Sequence, residues 1–274
     1  MMKKTILLPT DFSENSWTAI KYAAKHASSI NAALRIIHVY QSFYSVFAGD
    51  KFNEEVRAHR TDVANQQMSE LLKRLKSSEP SVSVSGEIVE GVFRIAIEKI
   101  LGKKDVDLIV MGTAGASGIK TIIGSSTLDI INIASVPVLA VPADPAIDIN
   151  NVGLLTNFKE EEIDVLKRAM NILPPFLAVT LLHVREHHDE SEEVMLDKWR
   201  EIIAQKLPTV SVERKIGFGD DIPSTINDMI EKEKTDLLIV TRNEKSFYGK
   251  LFNRNLVRSI ALSPRIPILF IRSK

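Results

Sequence analysis

Four apolar blocks of this 274-residue chain occur twice, in the same order. Leu7-Leu-Pro-Thr-Asp-Phe12 is echoed by Leu154-Leu-Thr-Asn-Phe158, and Arg35-Ile-Ile-His-Val39 by Thr180-Leu-Leu-His-Val184. Val106-Asp-Leu-Ile-Val-Met111 returns as Thr235-Asp-Leu-Leu-Ile-Val240, and Ser135-Val-Pro-Val-Leu-Ala140 as Arg265-Ile-Pro-Ile-Leu-Phe270. Ordered self-similarity of this kind points to two copies of one fold, joined here by the linker-like residues 143–151.

Within the first copy the pattern reads as strand 3–9, helix 13–29, strand 33–40, helix 52–77, strand 81–89, helix 91–103, strand 105–111, helix 125–135 and strand 137–142. Strands alternating with helices imply a parallel, doubly wound α/β sheet with right-handed crossovers. Ser13 is a candidate N-cap for the first helix, with Glu14 in its first turn. Pro137 and Pro267 fall at strand starts, where a missing amide is tolerated. Helix 52–77 carries Val56, Val63, Met68, Leu71, Leu72 and Leu75 among charges, an amphipathic face for its own sheet.

Composition narrows the function classes. The 35 acidic and 35 basic residues balance, which gives no electrostatic case for nucleic acid or an anionic membrane. There are no cysteines, so disulfides, thiolate catalysis and zinc–thiolate sites are excluded. No apolar run reaches the ~18 residues of a membrane span. The opening Met1-Met-Lys-Lys-Thr-Ile-Leu-Leu meets Pro9 too soon for the apolar core of a signal peptide, so the expected location is cytoplasmic.

The chemistry concentrates in Asp107–Thr127. A buried run, Leu108–Met111, leads into a glycine-punctuated loop that closes on Gly124-Ser125-Ser126-Thr127, followed by Leu128, Ile131 and Ala134 at helical spacing. A strand, a Gly/Ser-rich loop and a helix N-terminus suit an anion, because free amides and the helix dipole face it together. A crossover whose glycines only make turns is the alternative. The Walker A and Gly-x-Gly-x-x-Gly fingerprints are both absent.

A strand ending in Met-Gly, then x2-Gly, a loop, and Gly-Ser at the next helix resembles the ATP-binding signature of the universal stress protein family. Ile6-Leu-Leu-Pro-Thr-Asp-Phe-Ser13, Ile36-Ile-His-Val-Tyr40 and Val136-Pro-Val-Leu-Ala-Val-Pro142 are similar to that family's first, second and last strands. The resemblance implies two tandem Rossmann-like domains of the adenine nucleotide alpha hydrolase-like type. Each would have a five-stranded parallel sheet flanked by helices. Residues 1–142 would carry the nucleotide motif and residues 151–274 a degenerate copy. Strands 137–142 and 266–272 would pair across a pseudo-two-fold axis, covering two edges.

The same resemblance implies ATP, with or without Mg2+, as ligand of a stress-response regulator or sensor. Thr10 and Asp11 would lie at the adenosine end, the Val39 backbone at the adenine, and Met111 and Gly112 at the ribose edge. Gly115, Gly124, Ser125, Ser126 and Thr127 would hold the phosphates, with Lys120 balancing charge. Eight residues separate Gly115 from Gly124, one fewer than the family spacing. The repeat agrees: Asp107 and Asp236 are 129 residues apart, Pro137 and Pro267 are 130 apart. If the helix start absorbed that deletion, one residue would turn its amides by about 100°.

In the second copy Asn157 replaces Asp11, Thr241 and Glu244 stand where glycines belong, and Arg254-Asn255 replaces Gly-Ser, with Arg242, Lys245 and Arg254 keeping the local charge positive. Without glycines the backbone cannot close on a pyrophosphate, so this half is expected to lack ATP. His38 and His183 read as paired core histidines. Ser42-Phe-Tyr-Ser-Val-Phe47 reads as an apolar cluster under the following helix, and His187-His188 as a solvated loop. The acidic runs 160–162 and 189–193 read as helix first turns, where the dipole favours negative charge. No residue set is arranged for hydrolysis. A nucleotide-free scaffold for protein partners and a slow ATPase are the competing functions, and the chain is expected as a pseudo-dimeric monomer or a homodimer.

Overall fold

The computed structural model describes residues 3–41, 49–113, 124–185, 190–242 and 266–273. Its first half runs β1 (Lys4–Pro9), α1 (Glu14–Ala27), β2 (Ala32–Tyr40), α2 (Asp50–Ser78), β3 (Val84–Glu90), α3 (Phe93–Leu101), β4 (Leu108–Gly112), α4 (Ser125–Ile133) and β5 (Val138–Val141). The second half runs β6 (Asn151–Leu155), α5 (Glu161–Ile172), β7 (Ala178–Arg185), α6 (Glu190–Lys206), β8 (Ser211–Phe218), α7 (Ile222–Lys232), β9 (Leu237–Arg242) and β10 (Ile268–Arg272).

These strands form one ten-stranded sheet in the order β3-β2-β1-β4-β5-β10-β9-β6-β7-β8. Every pairing is parallel except that between β5 and β10, where Ile268 meets Ala140, Leu269 meets Leu139 and Phe270 meets Val138. The two halves are therefore tandem five-stranded parallel sheets related by a pseudo-two-fold axis at that seam. The seam covers one edge strand of each half, β5 and β10, and leaves β3 and β8 as the outer edges. Apolar layers cover both faces, and each layer runs through both halves without a break.

The local causes repeat as faithfully as the strands do. The Asp107 carboxylate accepts the Thr5 amide at 2.8 Å, and Asp236 accepts the amides of Asn150 and Asn151 at the same distance. Phe12 and Phe158 each turn out of a first strand with φ of 61° and 60°, a conformation uncommon for a bulky residue. The Thr10 and Thr156 hydroxyls accept the amides of Phe12 and Phe158 and fasten these turns. Ser13 caps α1, accepting the Ser16 amide at 3.3 Å, as the sequence predicts.

Two expectations are corrected. Met68, Leu71 and Leu75 of α2 are buried as expected, but Val63 is exposed and its neighbour Ala64 is buried in its place. The end of the supposed linker is structural: Ile149 is buried, and residue 151 already begins β6.

Candidate functional site

From β1 the chain steps outward to β2 and β3, then returns to place β4 on the other side of β1. The carboxyl ends of β1 and β4 are thus the point where successive crossovers diverge, and a crevice opens there in sheets of this kind. A cavity of about 400 Å³ lies at that point, lined by Thr10, Asp11, Val39, Met111, Gly112, Gly124, Ser125, Ser126 and Thr127, together with Pro9, Ser16, His38 and Phe93. Cavities of ~300–1,000 Å³ are the size range of small-molecule sites.

Nine of the ten residues singled out by sequence thus share one cavity. Gly115 and Lys120 lie outside the described residues, as do 42–47, 187–188, Glu244, Lys245, Arg254 and Asn255. The Gly124 amide donates to the Thr113 carbonyl at 2.6 Å and pins the loop ends, and α4 begins at Ser125. Gly124 is the N-cap and offers no capping side chain. The amides of the first turn have no intrahelical acceptors, and exposed Ser125 and Ser126 bring two hydroxyls beside them.

Thr127 departs from its expected role. It is buried, and its hydroxyl donates to the Gly112 carbonyl at 3.0 Å, tying α4 to β4. Only its amide is left for a ligand. Thr10 is also bonded within the protein: its hydroxyl lies 2.9 Å from that of Ser16, another residue of the cavity lining. Asp11 is exposed. Burial pushes its carboxyl up, but hydrogen bonds from the Ser13 hydroxyl and amide outweigh that and hold it below its ordinary value.

Sequence reasoning missed Ser16, His38 and Phe93. His38 is half-buried and lines the cavity, so it is not the core histidine expected. Its Nδ1 donates to the Thr10 carbonyl at 2.8 Å, and its ring packs against Phe12 with centroids 4.4 Å apart. In the neutral ring that bond makes Nε2 an acceptor. His183, its counterpart, is buried, with Nδ1 on the Thr156 carbonyl at 3.0 Å and Nε2 3.6 Å from Glu192. Strand alternation gives both the same face; what stands in front of each differs, and no local pattern reports that.

In the second half, Glu162 occupies the place of Ser16. It is buried and accepts from the Thr156 hydroxyl, the Asn157 amide at 2.8 Å and Trp199 Nε1 at 3.1 Å. The sequence reads it as a first-turn acid of the helix, which it is, and the structure adds that it is buried. Burial raises its pKa, against the lowering pull of those three donors. Arg185, in the place of Tyr40, is buried too, with Nη1 2.7 Å from Glu192.

The fold and this cleft define the class of molecule: a tandem pair of Rossmann-like α/β domains with a crevice at the switch point of the first. The model of the universal stress protein family matches residues 2–142, and the chain belongs to that family. It is 29% identical over 157 residues to universal stress protein MJ0577 of Methanocaldococcus jannaschii, covering 52% of this chain and 96% of that protein. It is 33% identical over 141 residues to universal stress protein MJ0531 of the same organism, covering 50% and 81%. A universal stress protein of Archaeoglobus fulgidus superimposes over 98% of this chain and 96% of its own, with a TM-score of 0.69 at 18% identity, which shows that both halves share the fold.

Proposed function

We propose that this chain binds ATP in the cleft of residues 1–142 and works as a stress-response sensor or regulator, while residues 151–274 form a degenerate domain without nucleotide. The observation that carries this reading is the meeting of an uncapped helix start with an adenosine-sized crevice. The amides of Ser125, Ser126 and Thr127 and two serine hydroxyls supply donors for phosphate oxygens, and the helix dipole adds to them. Phe93, Val39 and Met111 add apolar lining suited to a base, and Asp11 is an ionised acceptor for ribose hydroxyls.

Mg2+ fits this site only as a companion of the phosphates. Among the described residues no cluster of three His, Asp or Glu side chains could hold a metal. This ion commonly keeps several waters and binds through one or two carboxylates plus phosphate oxygens. No helix among the described residues is long and apolar enough to cross a membrane.

The test is to denature natively purified protein, identify any nucleotide released, and titrate the stripped protein with ATP by calorimetry. Released adenine nucleotide, or saturable binding of ATP, supports the reading. A protein that releases none and gives no binding heat overturns it in favour of a nucleotide-free scaffold. Phosphate release that disappears in Asp11→Ala would instead reveal a slow ATPase.

A further inference from the structure

Helix α4 links the cleft to the seam between the halves. Its N-terminus faces the cavity, and its C-terminus leads into β5, the strand that pairs with β10. The last turn of α4 contains no basic residue, although carbonyls at a helix end lack intrahelical donors and carry negative partial charge. The cation found there comes from the other half. Arg242 places Nη2 3.0 Å from the Asn132 carbonyl and Nη1 3.3 Å from that of Ala134, the C-cap.

The backbone that carries this guanidinium is held in the sheet. Arg242 is the last residue of β9, in register with Arg272 of β10, and its own carbonyl accepts the Ser273 amide at 3.0 Å. Sequence alone places Arg242 among the charges of a defunct phosphate loop. It turns instead across the seam onto the first half. A planar fork reaching two carbonyls fixes direction as well as charge, which an ammonium cannot do as well.

We propose that Arg242 is a positioning residue for nucleotide binding: it clamps the C-terminal end of α4 and thereby aims the amides of Ser125 and Ser126 at the phosphates. The proposal rests on the ATP reading above. A nine-residue helix is a rod of about 13 Å, and a small tilt at one end misdirects donors at the other. Thr127 ties the first turn to β4 and Arg242 holds the last, so the helix is fixed at both ends. The degenerate half thus contributes to a site it does not touch.

The experiment compares ATP with adenosine by calorimetry on the intact chain, in wild type, Arg242→Gln and Arg242→Lys, with melting temperatures on the same samples. Arg242→Gln is expected to weaken ATP by about fivefold, the scale of one helix-terminal charge interaction. Adenosine, which never reaches α4, keeps its affinity, and Arg242→Lys falls between. Unchanged ATP affinity in Arg242→Gln overturns the proposal. Equal losses for ATP and adenosine also overturn it, because they mean general loosening of the fold. Should Arg242→Gln not fold, Arg242→Lys decides by the same ATP-to-adenosine ratio. A wild type that binds neither ligand refutes the ATP reading itself, whereas a wild type that binds ATP alongside an indifferent variant refutes only the role of Arg242.

Discussion

The cleft of the first half and the matching place in the second have the same frame and different side chains set on it. Both have a threonine fastening a strained phenylalanine turn, a histidine bonded to that threonine's carbonyl, and ring centroids 4.4 Å and 4.6 Å apart. At the position of Ser16, however, the second half carries Glu162, and at that of Tyr40 it carries Arg185. Both are buried and occupied with partners of their own half. Around the ends of β1 and β6 the backbone frame is shared, and the difference there lies in the side chains. A cleft of this fold is an option that the residues at a few positions keep open or close.

The sharpest way to break the comparison is at the helix start that only the first cleft is proposed to use. Ser126→Asp puts a carboxylate among the α4 amides, where the dipole welcomes it, so the fold keeps its melting temperature or gains slightly. A triphosphate then meets both a competitor and a repelling charge. ATP affinity should fall at least about 100-fold, or about 2.7 kcal/mol by calorimetry. An unaltered affinity would place the phosphates elsewhere.

The next largest effect tests closure of the second cleft. Trp199→Phe leaves the buried Glu162 carboxylate one donor short and should destabilise the chain by about 2 kcal/mol in denaturant unfolding. Its ATP affinity should be that of wild type. An effect on ATP would mean that the second half influences binding through Glu162 and its partners as well as through Arg242.

Thr127→Val keeps the shape of the side chain but removes the donor to the Gly112 carbonyl. A stability loss of about 1 kcal/mol is expected, together with a modest weakening of ATP. Stability without change would show that this bond does not hold α4 to β4.

The smallest effect is a pH dependence. Burial raises the Glu162 pKa in the fold. Below its unfolded pKa the carboxyl is protonated in both states. As pH rises from there, the unfolded chain gives up the proton first and folding stability declines; above the folded pKa the loss is complete. Glu162→Gln removes this slope. The stability of Glu162→Gln relative to wild type should therefore improve from acid to neutral pH. A relative stability that worsens over the same range would mean that the donors around Glu162 outweigh its burial.

Much of the fold is legible in the amino-acid sequence. The four repeated blocks mark four strands in each half, because the buried strands of a parallel sheet write themselves as unbroken apolar runs. The gathering of Gly124, Ser125 and Ser126 at one helix start is equally readable, since the three belong to one local segment. The misreadings share a cause. Thr127, Glu162, His38 and Arg242 are defined by partners that local spacing does not announce: Gly112 for the first, Trp199 for the second, an open crevice for the third and Asn132 for the last. Glu162 is the first-turn acid its position announces, but the acids beside it in sequence give no sign of its burial against Trp199. Hydrophobicity puts Val63 on the buried face, whereas the face is set by how α2 lies against β3.

The central claim is that one cleft works and the other is closed by its own side chains. It is tested most directly by a crystal structure of the chain soaked with ATP. The account predicts nucleotide density between β1 and β4 only, with phosphates against the amides of Ser125 and Ser126. Density beside Thr156 and Asn157, or phosphates pointing away from α4, would contradict it.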